Sequence, residues 1–155
     1  MVMNDLALFD YIKVAILGGL LGTGAMTLVL YMIDKNGLAK SDMVRAIGSL
    51  VTKQLDNSFV PGIIIHFLSG LIFSIVYALI IDVLNPTGFA AAIGYGVAIG
   101  MFHGAAVGLL LVVAVAEHHP VEQFQKVGFS VAAAHWFGHV IFGLVLGVIT
   151  GVTSF

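Results

Sequence analysis

The sequence predicts an all-α integral membrane protein, a four-transmembrane-helix bundle with an amphipathic interfacial helix in its first loop. Three observations lead there. Of the 155 residues, 60% are hydrophobic and 9% charged, whereas soluble domains average about 25% charged residues. The mean hydropathy is +1.11. Four apolar runs, at residues 11–33, 61–81, 88–116 and 124–152, each reach the roughly 20 residues that a membrane crossing requires. Little chain remains outside them, so residues 1–155 form a single membrane domain.

The first run follows "MVMNDLALFD", which lacks the basic leader of a secretory signal. The run is too long for a signal h-region, so a retained helix is expected. The only long connection, residues 34–60, contains "SDMVRAIGSLVTKQLDN". Met43, Ile47, Leu50, Val51 and Leu55 fall on one helical face there, with Arg45, Ser49, Thr52, Lys53 and Asp56 opposite. This predicts an amphipathic helix over residues 42–56 with Ser41 as N-cap, lying on the membrane surface or against a partner subunit. Asn85-Pro86-Thr87 breaks the chain between the second and third runs, and Pro120 between the third and fourth. Such short connections join antiparallel neighbours. The last two runs exceed a minimal span and must tilt or project.

Lys35, Lys40, Arg45 and Lys53 sit in the first loop and Lys126 flanks the third. The second loop and the C-terminus carry no basic residue. The positive-inside rule then places loops one and three in the cytoplasm and both termini outside, with Lys13 as a small counterweight. A glycine-rich first helix, a basic amphipathic loop and the spacing Gly62, His66, Gly70 together resemble small bacterial membrane proteins. A prokaryotic inner membrane is the location this implies.

Several function classes drop out. Without cysteine there is no disulfide, thiolate metal site or iron–sulfur cluster from this chain. A net charge of −2 and no basic tract argue against a nucleic-acid partner. The sequence holds no nucleophile–base pair, phosphate-cradling loop or dinucleotide fingerprint, so no catalytic constellation is expected. The interiors of the last three spans contain no Asp, Glu, Lys or Arg, which argues against a pump, a coupled transporter, a small channel or a carrier.

What remains inside is histidine. At about 1.5 Å per residue from the expected cytoplasmic side, His66 lies roughly 8 Å into the second span and His135 roughly 15 Å into the fourth. His139 and His103 arrive at one level, about 20 Å deep, from adjacent spans. Each histidine shares its face with glycines, joined on the second and fourth spans by aromatic residues. Gly62, Ser69, Gly70, Phe73 and Tyr77 accompany His66; Gly96 and Gly100 accompany His103; Gly128, Gly138 and Phe142 accompany His135 and His139. A lone buried histidine more often bonds a neighbouring helix, but four in one half of the bilayer mark function. Imidazole is a common axial ligand of haem iron and suits iron, copper and zinc. His103 and His139 form a candidate haem b pair, with Gly100, Gly104 and Gly138 giving the ring room. His66 with His135 forms a second pair or part of a divalent metal site. In the third loop, Glu117, His118, His119, Glu122 and Gln123 gather, and Glu117, His118 or Glu122 folding back towards His66 would complete a mixed His/Glu site.

The glycines at four-residue spacing read differently. Gly96, Gly100, Gly104 and Gly108 on the third span, and Gly143, Gly147 and Gly151 on the fourth, form packing ridges that let backbones approach. The first span, with "GGLLGTGAMT", belongs to the same dense bundle. The sequence therefore predicts electron transfer or redox support through haem b or a divalent metal, as a small subunit of a larger membrane complex. Its partners would be membrane lipids and other membrane protein subunits. The alternative is a cofactor-free accessory subunit whose histidines and glycines only pack helices and lipids.

Overall fold

The computed structural model describes residues 8–126 and 128–154. The expectation of a leaderless N-terminus concerns residues outside that range, as does Val127 at the expected start of the fourth span. Among the described residues the main helices are α1 (Phe9–Lys35), α2 (Met43–Thr52), α3 (Phe59–Leu84), α4 (Phe89–His118) and α5 (Phe129–Ser154). No strand occurs among the described residues. All helices but α2 are long and apolar enough to cross a membrane, and the fold is a four-helix membrane bundle.

The packing inverts that of a soluble bundle. Large apolar side chains such as Val83, Phe102 and Phe129 point outward, where lipid is as good a solvent as a protein core. Glycine, alanine, serine, threonine and histidine turn inward, because attraction between helices in hydrocarbon rests on close backbone contact and hydrogen bonds. The α4–α5 pair shares the longest interface; α5 also packs on α1, α1 on α3, and α2 on α3.

Local chemistry sets the ends. Pro61 sits in the first turn of α3, where its missing N–H costs nothing. That helix stops at Asn85, left-handed with φ 48°, before Pro86. The fourth span begins at Phe129, five residues later than expected. Pro120 and a 3₁₀ turn at Glu122–Phe124 hold the preceding segment outside the helix, and with it Gly128. Two π turns interrupt the long helices, Val14–Gly18 in α1 and Leu111–Val115 in α4. Ser74 Oγ lies 2.7 Å from both the Leu71 and Ala15 carbonyls, tying α3 to the first π turn.

The surface helix departs from expectation in two ways, its N-cap and its end. Its N-cap is Asp42, which accepts the Arg45 N–H at 3.1 Å. Ser41 instead donates its hydroxyl to the Leu30 carbonyl at 2.9 Å and its N–H to Asp34 at 3.1 Å. The helix ends at Lys53, left-handed with φ 60°, short of residue 56. It docks on α3 through Val44, Gly48 and Ser49 and leaves Leu50 and Val51 of its apolar stripe exposed, as a helix on a membrane surface or against a partner would. Close approach explains the choice: a Cβ on Gly48 would overlap the Ser58 carbonyl, and one on Gly62 the Val44 carbonyl.

Candidate functional site: a histidine centre inside the bundle

The centre is assembled from three helices. α3 brings His66, α4 brings His103, and α5 brings His135 and His139 one turn apart; His66, His135 and His139 are buried. The His103 and His139 rings meet edge to face with centroids 4.5 Å apart. His66 lies within electrostatic reach of both His135 and His139. His139 thus touches the His103 ring and bonds the backbone of His135.

The hydrogen bonds fix how each ring presents itself. His135 donates Nδ1–H to the Val131 carbonyl at 2.8 Å, and His139 donates Nδ1–H to the His135 carbonyl at 2.7 Å. A carbonyl can only accept, so in the neutral rings both Nε2 atoms carry lone pairs. Thr27 spends its hydroxyl proton on the Thr23 carbonyl at 2.7 Å, so it accepts from His66 Nε2–H at 3.0 Å. His103 Nδ1 and the Tyr77 hydroxyl share a hydrogen bond of 3.1 Å. Phe73 lies against the His103 ring at 4.4 Å, and Phe142 meets Tyr77 at 5.3 Å.

The glycines expected beside a porphyrin are otherwise engaged. A Cβ on Gly100 would strike the His139 carbonyl, and one on Gly104 would come within 2.8 Å of the Trp136 carbonyl. Gly138 faces Met26 and Leu30 of α1. With imidazole–metal bonds of about 2 Å, a bis-histidine haem needs its two rings on opposite sides of a wide planar slot. Between His103 and His139 the rings touch and the flanking backbones are in contact, so a porphyrin does not fit there. The loop residues do not join the centre either. Glu117, His118 and Glu122 are exposed, Glu122 lying 3.8 Å from Lys126. No set of three or more His, Asp or Glu side chains converges as a metal site among the described residues.

Two features at opposite ends of the bundle escaped the sequence reading. His119 is almost fully buried: Nε2–H donates to the Ala46 carbonyl of α2 at 3.0 Å, and Nδ1 accepts the Val121 N–H at 3.1 Å. At the far end, the Tyr11 hydroxyl donates to Asp82, joining the start of α1 to the end of α3 at 2.5 Å. The signal for the second was a tyrosine and a carboxylate at matching ends of two spans; for His119 there was none beyond its neighbour Pro120.

With the geometry in place, comparison with known proteins adds one result. A family model described as a family of unknown function, DUF6789, matches residues 9–154. The chain belongs to that family. The match takes in all four spans, α2 and the four central histidines, so the whole bundle is the family's shared unit. No curated protein and no solved structure matches the chain.

Proposed function

We propose that this DUF6789 protein is a small subunit of a larger membrane complex, in which the histidine centre holds one transition-metal ion in support of electron transfer. The observation that carries the reading is the pair His135 and His139. Both donate Nδ1–H to backbone carbonyls, the outer-shell arrangement that orients metal-bound imidazoles and raises their basicity. Both therefore offer Nε2 to an ion held by this pair, and among the described residues no third side chain converges with them. A carboxylate-free pair of imidazoles suits copper, iron or zinc, and copper or iron when bound would supply one-electron redox chemistry. The bundle's part is to hold the rings, exclude water and set the ring tautomers. The basic first loop orients the protein with loops one and three in the cytoplasm and both termini outside.

The test is metal content and an electronic spectrum of protein purified in mild detergent. Near-stoichiometric copper or iron is expected, falling at least tenfold in His139→Ala and His135→Ala. A metal-free, colourless protein that takes up neither ion would overturn the reading. A cofactor-free accessory subunit is the second reading, favoured by the uninterrupted glycine seam between α4 and α5. For it, mild purification recovers partner subunits in fixed ratio while metal is absent.

A further inference from the structure

Between α1, α2 and α3 lies a cavity of about 690 Å³ that reaches from the polar end of these helices down to His66. It has the size of a small-molecule site, and its walls mix apolar side chains with polar ones, the charged groups gathered at the mouth. Its walls carry three aromatic rings, Tyr31, Phe59 and Phe67. Tyr31 and Phe59 are more than half exposed on the bundle's lipid-facing side, so an occupant can enter from the membrane. At the inner end stand His66 and Thr27, and beside them Gly24, whose missing side chain leaves nothing within 4 Å.

Three properties of the lining define the ligand. The first is charge. Two carboxylates, Asp34 and Asp42, and two cations, Lys35 and Arg45, ring the mouth. They are engaged locally: Arg45 lies 3.6 Å from Asp42, Asp34 accepts the Ser41 N–H, and Lys35 sits over the Tyr31 ring at 5.5 Å. The mouth is balanced and selects no net charge. The second is hydrogen-bonding sense: His66 Nε2–H is held by Thr27 at the inner end, so a ligand acceptor such as a carbonyl oxygen would share or take over this bond. The third is shape, since flat rings suit a cleft between aromatic walls.

We propose that this cavity binds the head of a membrane quinone, an uncharged ring carrying carbonyls on an isoprenoid tail, with His66 donating to one carbonyl. The tail leaves along Leu28 and Tyr31 into the lipid. Only binding is inferred. It stands without a metal at the histidine centre, although His66 belongs to both.

The test is titration of the purified full-length protein with ubiquinone-1, which carries the ring and a single isoprenoid unit, alongside the same tail on a carbonyl-free benzene ring. Saturable binding of one quinone per chain is expected, with the carbonyl-free analogue bound about tenfold more weakly, as the loss of one hydrogen bond predicts. His66→Leu should weaken the quinone by a similar factor. Gly24→Phe, whose Cβ meets no atom within 4 Å, puts a ring beside the inner end and should reduce binding at least tenfold, with thermal unfolding checking that the variant is folded. Metal content measured on the same samples separates this proposal from the previous one, because Gly24→Phe leaves His135 and His139 untouched. Equal affinity for the two ring compounds, or undiminished binding in Gly24→Phe, would overturn the inference. So would a phospholipid recovered with wild-type protein, absent from Gly24→Phe and not displaced by the quinone.

Discussion

The α4–α5 seam and the α1–α2–α3 corner use glycine to opposite ends. In the seam, Gly96, Gly100 and Gly104 press against the backbone of α5, and Gly143, Gly147 and Gly151 press back on α4. A row at four-residue spacing drifts about 40° per step around a helix. All these α4 glycines nevertheless meet the same neighbour, so α5 follows the drift. In the corner, Gly24 has open space in front of it and the helices part around a cavity. Glycine is a packing surface only where another backbone arrives; elsewhere it is room. In hydrocarbon, helix association rests on contact itself, so the seam holds the bundle together while the corner is spared for a ligand.

The sharpest way to break this contrast is Gly96→Leu. The obstacle is the Gly143 carbonyl and the Gly147 backbone, which cannot rotate aside, so the loss should exceed the about 1–3 kcal/mol of ordinary overpacking. Thermal unfolding in detergent should show no folded bundle, and a melting point near wild type would mean that the seam is not tight. Gly48→Val should come next, detaching α2 from α3 while the spans stay folded. The chain has no cysteine, so a single cysteine at Val44 reports it cleanly: protected in the parent, labelled in the variant. Smaller again is His119→Ala, which strands the Ala46 carbonyl and should cost about 1–2 kcal/mol. At the bottom of the scale, Gly24→Ala should be neutral or stabilise by up to about 1 kcal/mol, by stiffening an unhindered helix position. Equal destabilisation by Gly24→Ala and Gly96→Ala would erase the distinction between the two regions.

The spans were legible because hydrocarbon imposes one simple demand, some twenty apolar residues in a row. The meeting of His103 with His139 was legible too, since rise per residue converts sequence position into depth. What depth does not give is lateral distance. The count placed two imidazoles at one level but could not say whether a porphyrin's width or an edge-to-face contact lay between them. That was decided by Gly100 and Gly104 drawing α4 onto α5. The face by which α2 docks on α3 was not legible for a related reason. Periodicity finds the oily stripe of Leu50 and Val51, whereas the bundle selected the side where Gly48 could meet Gly62. His119 and Asp82 belong to long-range pairs that no local pattern announces.

The π turn at Val14–Gly18 makes the first helix a counting device. Such a turn accommodates one residue more than the regular helix would, which shifts everything before it by about 100° relative to everything after it. That phase shift lets one helix serve two alignments: Gly18, Gly19 and Gly22 face Leu146, Leu71 and Phe142, while Tyr11 reaches Asp82. Removing one residue from the turn would restore the regular winding and leave the glycine face in register. Tyr11 would then swing away from Asp82. A deletion here therefore acts as a rotation of the helix's first turns, untying one end of the molecule without loosening its middle.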